Sequence, residues 1–230
     1  MNIFAVIVAA GSSERFESDA GLKQLAPLAG MPMLAWPIKR LGDRRNITGI
    51  VCVVPPGNGD AIRSGVTAFG GGDIDAWVDG GVTRQDSVRN GLAALPDDAT
   101  HVLIHDAARP CVTSELLSRL TTSLQKNDAV VPTVRGVDTL VRETGGRVRA
   151  IVDRAHIAGV QTPQAFELAL IRRAHEHALH EGIAASDDGS LVLSLGGSLA
   201  TVPGERTNIK VTYPEDLVLA EAIIREMTRT

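Results

Sequence analysis

The stretch whose reading decides the fold is IFAVIVAAGSSERFESDAGLKQLAPL, residues 3–28. It opens on a continuous apolar run, 3–9, as a strand buried on both faces requires. The run ends in Ala9-Ala10-Gly11-Ser12-Ser13, and Arg15 and Lys23 follow. Side chains this small let backbone N–H groups approach a ligand closely. In open α/β sheets, ligands bind beyond the carboxyl ends of the strands, where this loop begins. Arg15 is permanently charged and can grip a phosphate with two donors. The loop lacks the G-x-G-x-x-G of dinucleotide-binding folds, since only Gly11 stands there. It is not a P-loop either, because Leu22 separates Gly21 from Lys23. Read alone, the segment also fits an ordinary strand-to-helix turn with surface cations.

Outward from this loop, short apolar runs alternate with segments of helical period. Strands are expected at 49–54, 76–78, 101–105, 129–134, 198–202 and 208–211. Helices are expected at 32–41, with Pro37 bending it or marking its first turn, and at 60–68, 83–95, 113–125, 166–181 and 188–195. A last helix starts at Tyr213-Pro214-Glu215-Asp216, and Thr113 is expected to cap its helix. Such alternation predicts an α/β fold: a mostly parallel central sheet with helices on both faces.

Residues 136–154, GVDTLVRETGGRVRAIVDR, break the pattern. Polar and apolar residues alternate on both sides of Gly145-Gly146, which predicts a β-hairpin with a glycine-suited turn. With Arg135, the arm at about 135–155 carries five arginines and few large side chains. A two-stranded hairpin is marginal in water, so it is expected to lie against something, for which a second copy of the chain is the natural candidate. With no repeat, linker or low-complexity tract, a single domain over 1–230 with this projecting arm is the simplest organisation.

Composition removes several function classes. A formal charge of −4 argues against a general nucleic-acid binder, and 3% aromatic residues leave no obvious base-stacking platform. Cys52 and Cys111 sit among apolar residues and are expected to be buried reduced thiols. The N-terminal apolar run is too short to span a bilayer and lacks a basic flank, so a soluble cytoplasmic protein is expected, with neither membrane nor nucleic acid as partner.

Two more segments carry chemistry. In VDGGVTRQDSVRNGL, residues 78–92, Gly80-Gly81 follow a strand end, and Arg84, Asp86 and Ser87 lead into a helix; a tight turn with a helix cap would look the same. In LIHDAARPCV, residues 103–112, Asp106 stands at a strand end with Arg109 three residues on. That suits a metal and a phosphate, because Mg²⁺ is held by one or two carboxylates plus substrate phosphate oxygens. A local Asp106–Arg109 ion pair is the alternative. HEHALH, with His175, His177 and His180, is not H-E-x-x-H, since Leu179 takes the second ligand place; these histidines are expected to face solvent. No G-x-S-x-G is present, so an esterase elbow has no support.

The blocks VAAGSSERF, KQL, VDGGVTRQDSV, HDAARP, VDR…QTPQAF, SDD and NIKVTYPEDL follow one another across nearly the whole chain. Together they closely resemble the 2-C-methyl-D-erythritol 4-phosphate cytidylyltransferase family of the non-mevalonate isoprenoid pathway. The resemblance implies a Rossmann-like nucleotidyltransferase fold, and transfer of CMP from CTP to the 4-phosphate of methylerythritol with Mg²⁺, releasing pyrophosphate. It implies that Ala9, Ala10 and Gly11 contact the nucleotide, Gly81 and Ser87 the cytosine, and Asp106 the metal-bound phosphate. By the same resemblance Arg15 and Lys23 stabilise charge on the triphosphate, and Arg154 and Lys210 position the sugar phosphate with help from Arg109, Thr139 and Thr162. It further implies a homodimer in which the arm crosses to the partner, so that Thr139 and Arg154 serve the neighbouring site. A related family that uses another polyol phosphate, such as ribitol 5-phosphate, shares the nucleotide half. One departure is local: the family usually has Pro directly before the catalytic lysine, where this chain has Leu22.

Overall fold

The computed structural model describes residues 1–11, 22–43, 46–69 and 74–229. In chain order the first half comprises β1 (Ile3–Val8), β2 (Pro27–Leu28), β3 (Met31–Pro32), α1 (Ala35–Gly42), β4 (Gly49–Val54), α2 (Gly59–Thr67), β5 (Ala76–Asp79), α3 (Arg84–Ala93), β6 (His101–Asp106) and α4 (Ser114–Leu124). The second comprises β7 (Ala129–Val134), β8 (Leu140–Thr144), β9 (Arg147–Val152), β10 (Gly159–Val160), β11 (Gln164–Glu167), α5 (Leu168–Glu181), α6 (Asp188–Ser194), β12 (Ala200–Pro203) and α7 (Pro214–Met227).

The main sheet runs β10-β7-β11-β6-β1-β4-β5, with β12 also on β7. Pairs β1–β4, β1–β6, β4–β5 and β7–β12 are parallel, whereas β11 runs antiparallel to both β6 and β7. Strand β1 is buried on both faces, as its unbroken apolar run requires. Ile3, Ala5 and Ile7 join the core under α1, α2 and α4, while Phe4, Val6 and Val8 join the core under α3, α5 and α6. The sheet therefore carries helices on both faces, as the alternation predicted.

A third apolar cluster sets the site. Leu28, Met33 and Trp36 pack with Cys111, Val211, Ala220 and Ile224, which seats α7 on the β2–β3 turn. This brings the segment after Lys23 to the segment after Lys210.

Several expected boundaries shift for physical reasons. Helix α1 starts three residues later than expected because Met31–Pro32 pair back onto Pro27–Leu28; Pro37 falls in its first turn, where no backbone hydrogen bond is lost. Phe166, expected in a helix, lies in β11: Ala165 faces one core and Phe166 the other, a period of two. The segment 208–211, expected as a strand, joins no sheet. Its Val211 N–H bonds Ala108 O and its Asn208 N–H bonds Glu205 O, so loops rather than a neighbouring strand satisfy the backbone.

The arm forms as expected. Strands β8 and β9 pair antiparallel, and Gly145 and Gly146 both take positive φ, 62° and 72°, as a two-residue hairpin turn needs. Leu140, Val141, Val148 and Ile151 are all exposed on it. Both cysteines are buried thiols, and burial pushes the Cys111 pKa up to about 12. Among the described residues no helix is long and apolar enough to cross a membrane.

Candidate active site

The carboxyl ends of β1, β5 and β6 open into a cleft of about 600 Å³. Ala9, Ala10, Gly11, Lys23, Gly81, Ser87, Asp106 and Lys210 all line it, so eight of the sequence-derived site residues meet at one place. Arg15 lies outside the described residues.

Small side chains let the loops close on one another. A Cβ added to Gly80 would come within 2.2 Å of Ala10 Cβ, and one on Gly81 within 2.3 Å of Asp86 Cβ. The Gly81 N–H donates to Ser87 Oγ at 3.1 Å, and the Ser87 hydroxyl donates to Thr83 O. Thr83 and Asp86 form a capping box that fixes the first turn of α3 at the cleft. On the opposite wall buried Gln24 donates to Ala9 O, tying the turn that carries Lys23 to the end of β1. Lys23 Nζ donates to Val211 O at 2.6 Å.

Asp106 lies at the cleft floor with its side chain only 10% exposed. Arg84 Nε donates to its Oδ1 at 2.9 Å, and Lys210 Nζ donates to its Oδ2 at 2.7 Å. Burial alone would push the carboxyl pKa up, but the charges of Arg84 and Lys210 outweigh it and hold it well below the usual carboxylate range. The same contacts act on Arg84: burial pulls its pKa down, and Asp188 with Asp106 more than reverses this.

Behind the floor, the Thr162 hydroxyl accepts from Asp106 N at 3.0 Å and lies 3.2 Å from His105 Nδ1. His105 Nε2 lies 3.0 Å from Arg109 O, a pure acceptor, so Nε2 carries the proton and Nδ1 accepts from Thr162. Burial pushes the His105 pKa down to about 4, so the ring is neutral near pH 7. The alternative, a local Asp106–Arg109 ion pair, does not form. Arg109 Nη1 instead donates to Asn208 O at 2.7 Å, because Asn208 is buried beside it with its Nδ2 on Thr162 O. Thr139 and Arg154 are exposed on and beside the arm and do not line the cleft. Arg154 donates to Val137 O.

Sequence reasoning placed Arg84 beside a helix start but assigned it no role, and missed Gln24, Asn208 and Asp188 as individual residues. Each lies inside a block noted above, KQL, NIKVT or SDD, yet nothing in local spacing marks its partner. His175 is a correction: it is buried, with Nε2 3.2 Å from Asp188 Oδ1. It falls on the stripe Ile171, Ala174, His175, Ala178 that α5 turns to the core. His180 is exposed as expected, and His177 is half-buried.

The family model for 2-C-methyl-D-erythritol 4-phosphate cytidylyltransferase matches residues 3–226. Relatives bearing that name include one from Geobacillus kaustophilus, 40% identical over 225 residues and covering 97% of each chain. Another, from Synechococcus elongatus, is 38% identical over 222 residues, covering 96% of this chain and 95% of the relative. The crystal structure of the Thermus thermophilus enzyme superposes with a TM-score of 0.80 at 36% identity, covering 96% of this chain and 98% of the other. That of 4-diphosphocytidyl-2C-methyl-D-erythritol synthase from Anaerococcus prevotii gives 0.84 at 28% identity, covering 97% and 96%. With a near-complete family match, these identities and a cleft built from the family's own sequence blocks, the chain belongs to the 2-C-methyl-D-erythritol 4-phosphate cytidylyltransferase family.

Proposed function

We infer that this chain transfers CMP from CTP to 2-C-methyl-D-erythritol 4-phosphate, releasing pyrophosphate, in isoprenoid precursor biosynthesis. Beyond family membership, one observation carries the reading: Lys23, Arg84, Asp106 and Lys210, far apart in sequence, converge at the carboxyl ends of parallel strands. Three cations lining one cleft, two of them on the Asp106 carboxylate, suit the meeting of a triphosphate with a phosphate monoester.

In the reaction a phosphate oxygen of the acceptor bonds the α-phosphorus of CTP while the bond to the pyrophosphate oxygen breaks. Charge repulsion is the main obstacle, and a phosphate monoester needs no strong base to attack. Catalysis then rests on positioning and charge neutralisation. We assign Ala9, Ala10 and Gly11 to the nucleotide through their backbone, and Gly81 and Ser87 to the cytosine. Lys23 and Arg15 neutralise the triphosphate. Lys210 holds the acceptor phosphate, with Arg109 and Thr162 behind the cleft wall supporting that site through Asn208 and Asp106, and with Thr139 and Arg154 supplied by the arm of a partner subunit in a homodimer. Exposed Leu140, Val141, Val148 and Ile151 on the arm favour such a dimer.

Among the described residues no three His, Cys, Asp or Glu side chains gather into a metal cage. Among the described residues that line the cleft, Asp106 alone offers a carboxylate, which fits Mg²⁺, an ion that keeps waters and leans on substrate phosphates. We assign Asp106 as its protein ligand; when bound, Mg²⁺ neutralises phosphate charge.

The test is pyrophosphate release by the purified protein with CTP, Mg²⁺ and either acceptor. Turnover is expected with 2-C-methyl-D-erythritol 4-phosphate. A strong preference for ribitol 5-phosphate would move the chain to the related polyol-phosphate reaction, and CTP binding without turnover of any acceptor would mark a non-catalytic relative.

A further inference from the structure

Arg84 stands between two carboxylates. Its Nε meets Asp106 Oδ1 and its Nη2 meets Asp188 Oδ2, both at 2.9 Å. Asp188 is not part of the cleft: its side chain is 1% exposed, and its other oxygen faces buried His175 at 3.2 Å. A continuous line of polar contacts thus runs from His175 under α5, through Asp188, Arg84 and Asp106, to Lys210 at the cleft.

The two cations on Asp106 are not equivalent. Lys210 is 46% exposed and carries a compact ammonium on a flexible stem. Arg84 is 27% exposed, and its rigid fork is engaged at both ends. Its anchor is itself held from three elements. From α3, Gln85 donates to Ile183 O and accepts from Ala185 N, both at 3.1 Å, just ahead of Asp188. From β11, Gln164 donates to Asp187 at 2.9 Å and accepts from Gly189 N at 2.9 Å. From α5 comes His175. Arg84 Nη2 and Asp188 Oδ2 are buried and neither makes an aligned hydrogen bond among the described residues, so Asp188 restrains Arg84 by charge.

A phosphate-rich ligand entering the cleft competes with Asp106 for its cations. Lys210 can swing to it at little cost. Arg84 cannot leave without stranding the buried Asp188 charge, which is strongly unfavourable. We propose that Asp188 is a positioning residue that locks Arg84 onto Asp106 Oδ1, so that ligand binding draws off Lys210 and leaves Oδ2 as the oxygen open to a divalent cation. This rests on the assignment of Asp106 under the proposed function. Without the Asp188 charge, the Arg84 fork is free to close on both oxygens of Asp106, as guanidinium–carboxylate pairs commonly do.

The experiment measures Mn²⁺ binding to the protein–CTP complex by electron paramagnetic resonance, with Mn²⁺ as the probe and circular dichroism scoring the folded fraction. Asp188→Asn, nearly isosteric, is expected to weaken Mn²⁺ binding by about tenfold, as loss of an outer-shell partner commonly does. A purely structural role would lower the melting temperature and leave the Mn²⁺ affinity of the folded protein unchanged; that result overturns the proposal. Should Asp188→Asn fail to fold, Arg84→Lys makes the same test, since it replaces the rigid fork, with Nε on Asp106 and Nη2 toward Asp188, by a single nitrogen on a flexible stem: about tenfold weaker Mn²⁺ binding supports the proposal, and wild-type affinity overturns it. Asp106→Asn separates the two layers. If it binds Mn²⁺ like the wild type, the assignment of Asp106 fails and this inference with it. If it loses Mn²⁺ while Asp188→Asn keeps it, only the inference fails.

Discussion

Lys23 donates its ammonium to the carbonyl of Val211 at 2.6 Å, tying a residue from the first loop of the chain to the direct neighbour of Lys210. The two lysines therefore face one cleft from opposite ends of the sequence. Lys23→Ala is expected to lower kcat by about 10²–10³-fold with folding retained, the usual cost of one preorganised charge-stabilising donor. Steady-state pyrophosphate release measures it. An unimpaired variant would confine Lys23 to the Val211 contact.

Stability should fall on mild acidification because of His105. Its pKa is about 4 in the fold against 6.5 for the free side chain. Between these values the unfolded chain binds the extra proton, so stability drops as pH falls from 6.5 to 4 and is insensitive to this group above 6.5. The full contribution is about 3 kcal/mol. Asp106, whose carboxyl is depressed from 3.8, acts with the opposite baseline: its stabilisation is present above 3.8 and is lost only as pH falls below it. Denaturant unfolding of the ligand-free protein across pH 4–7 should show the slope, and His105→Gln should remove most of it. An equal slope in the variant would place the titration elsewhere.

Gly91 in α3 invites the substitution that helix propensity favours, and the packing forbids it. A Cβ there would lie 2.5 Å from Val6 Cγ1 and 2.9 Å from Val53 Cγ2. These are β-branched side chains in the paired strands β1 and β4, with no flexible end to yield. Gly91→Ala is expected to destabilise by about 1–2 kcal/mol, overpacking outweighing the propensity gain. A shift of the urea midpoint to higher concentration would contradict it.

If the arm serves the partner's cleft, inactive variants should complement one another. Arg154→Ala and Lys23→Ala homodimers are each expected to be nearly inactive. A mixed dimer places both lesions in one of its two sites and leaves the other intact. Refolding the two together should restore up to half of wild-type activity per mixed dimer. Sedimentation at micromolar concentration should show a dimer, and a monomer there would remove the basis of the prediction.

Much of this architecture was legible locally. The apolar run 3–9 is a buried strand because every position must satisfy one of two cores. Gly145-Gly146 is a hairpin turn because both residues need positive φ. The backbone-lined loop at Ala9-Ala10-Gly11 was readable because small residues at a strand end permit close approach. Other features were not legible. Phe166 sits in a strand because its neighbours across the sheet are Val102 and Ala129, which no local window contains. His175 shares its local pattern with two other histidines of α5, and only the packing of that helix against Asp188 buries it.

The sequence by itself therefore determined the alternation of strands and helices, the small-residue strand end that lines the cleft, the arm and the family. These depend on periodicity, turn chemistry and ordered blocks, all written in consecutive residues. Only the tertiary structure decided which charges share a carboxylate. Arg84 reaches Asp106 from 22 residues away and Lys210 from 104, while Asp188 holds Arg84 from behind the cleft wall. Ion pairs of that kind depend on distance and burial after the sheet has closed, and nothing in the spacing of the chain encodes either.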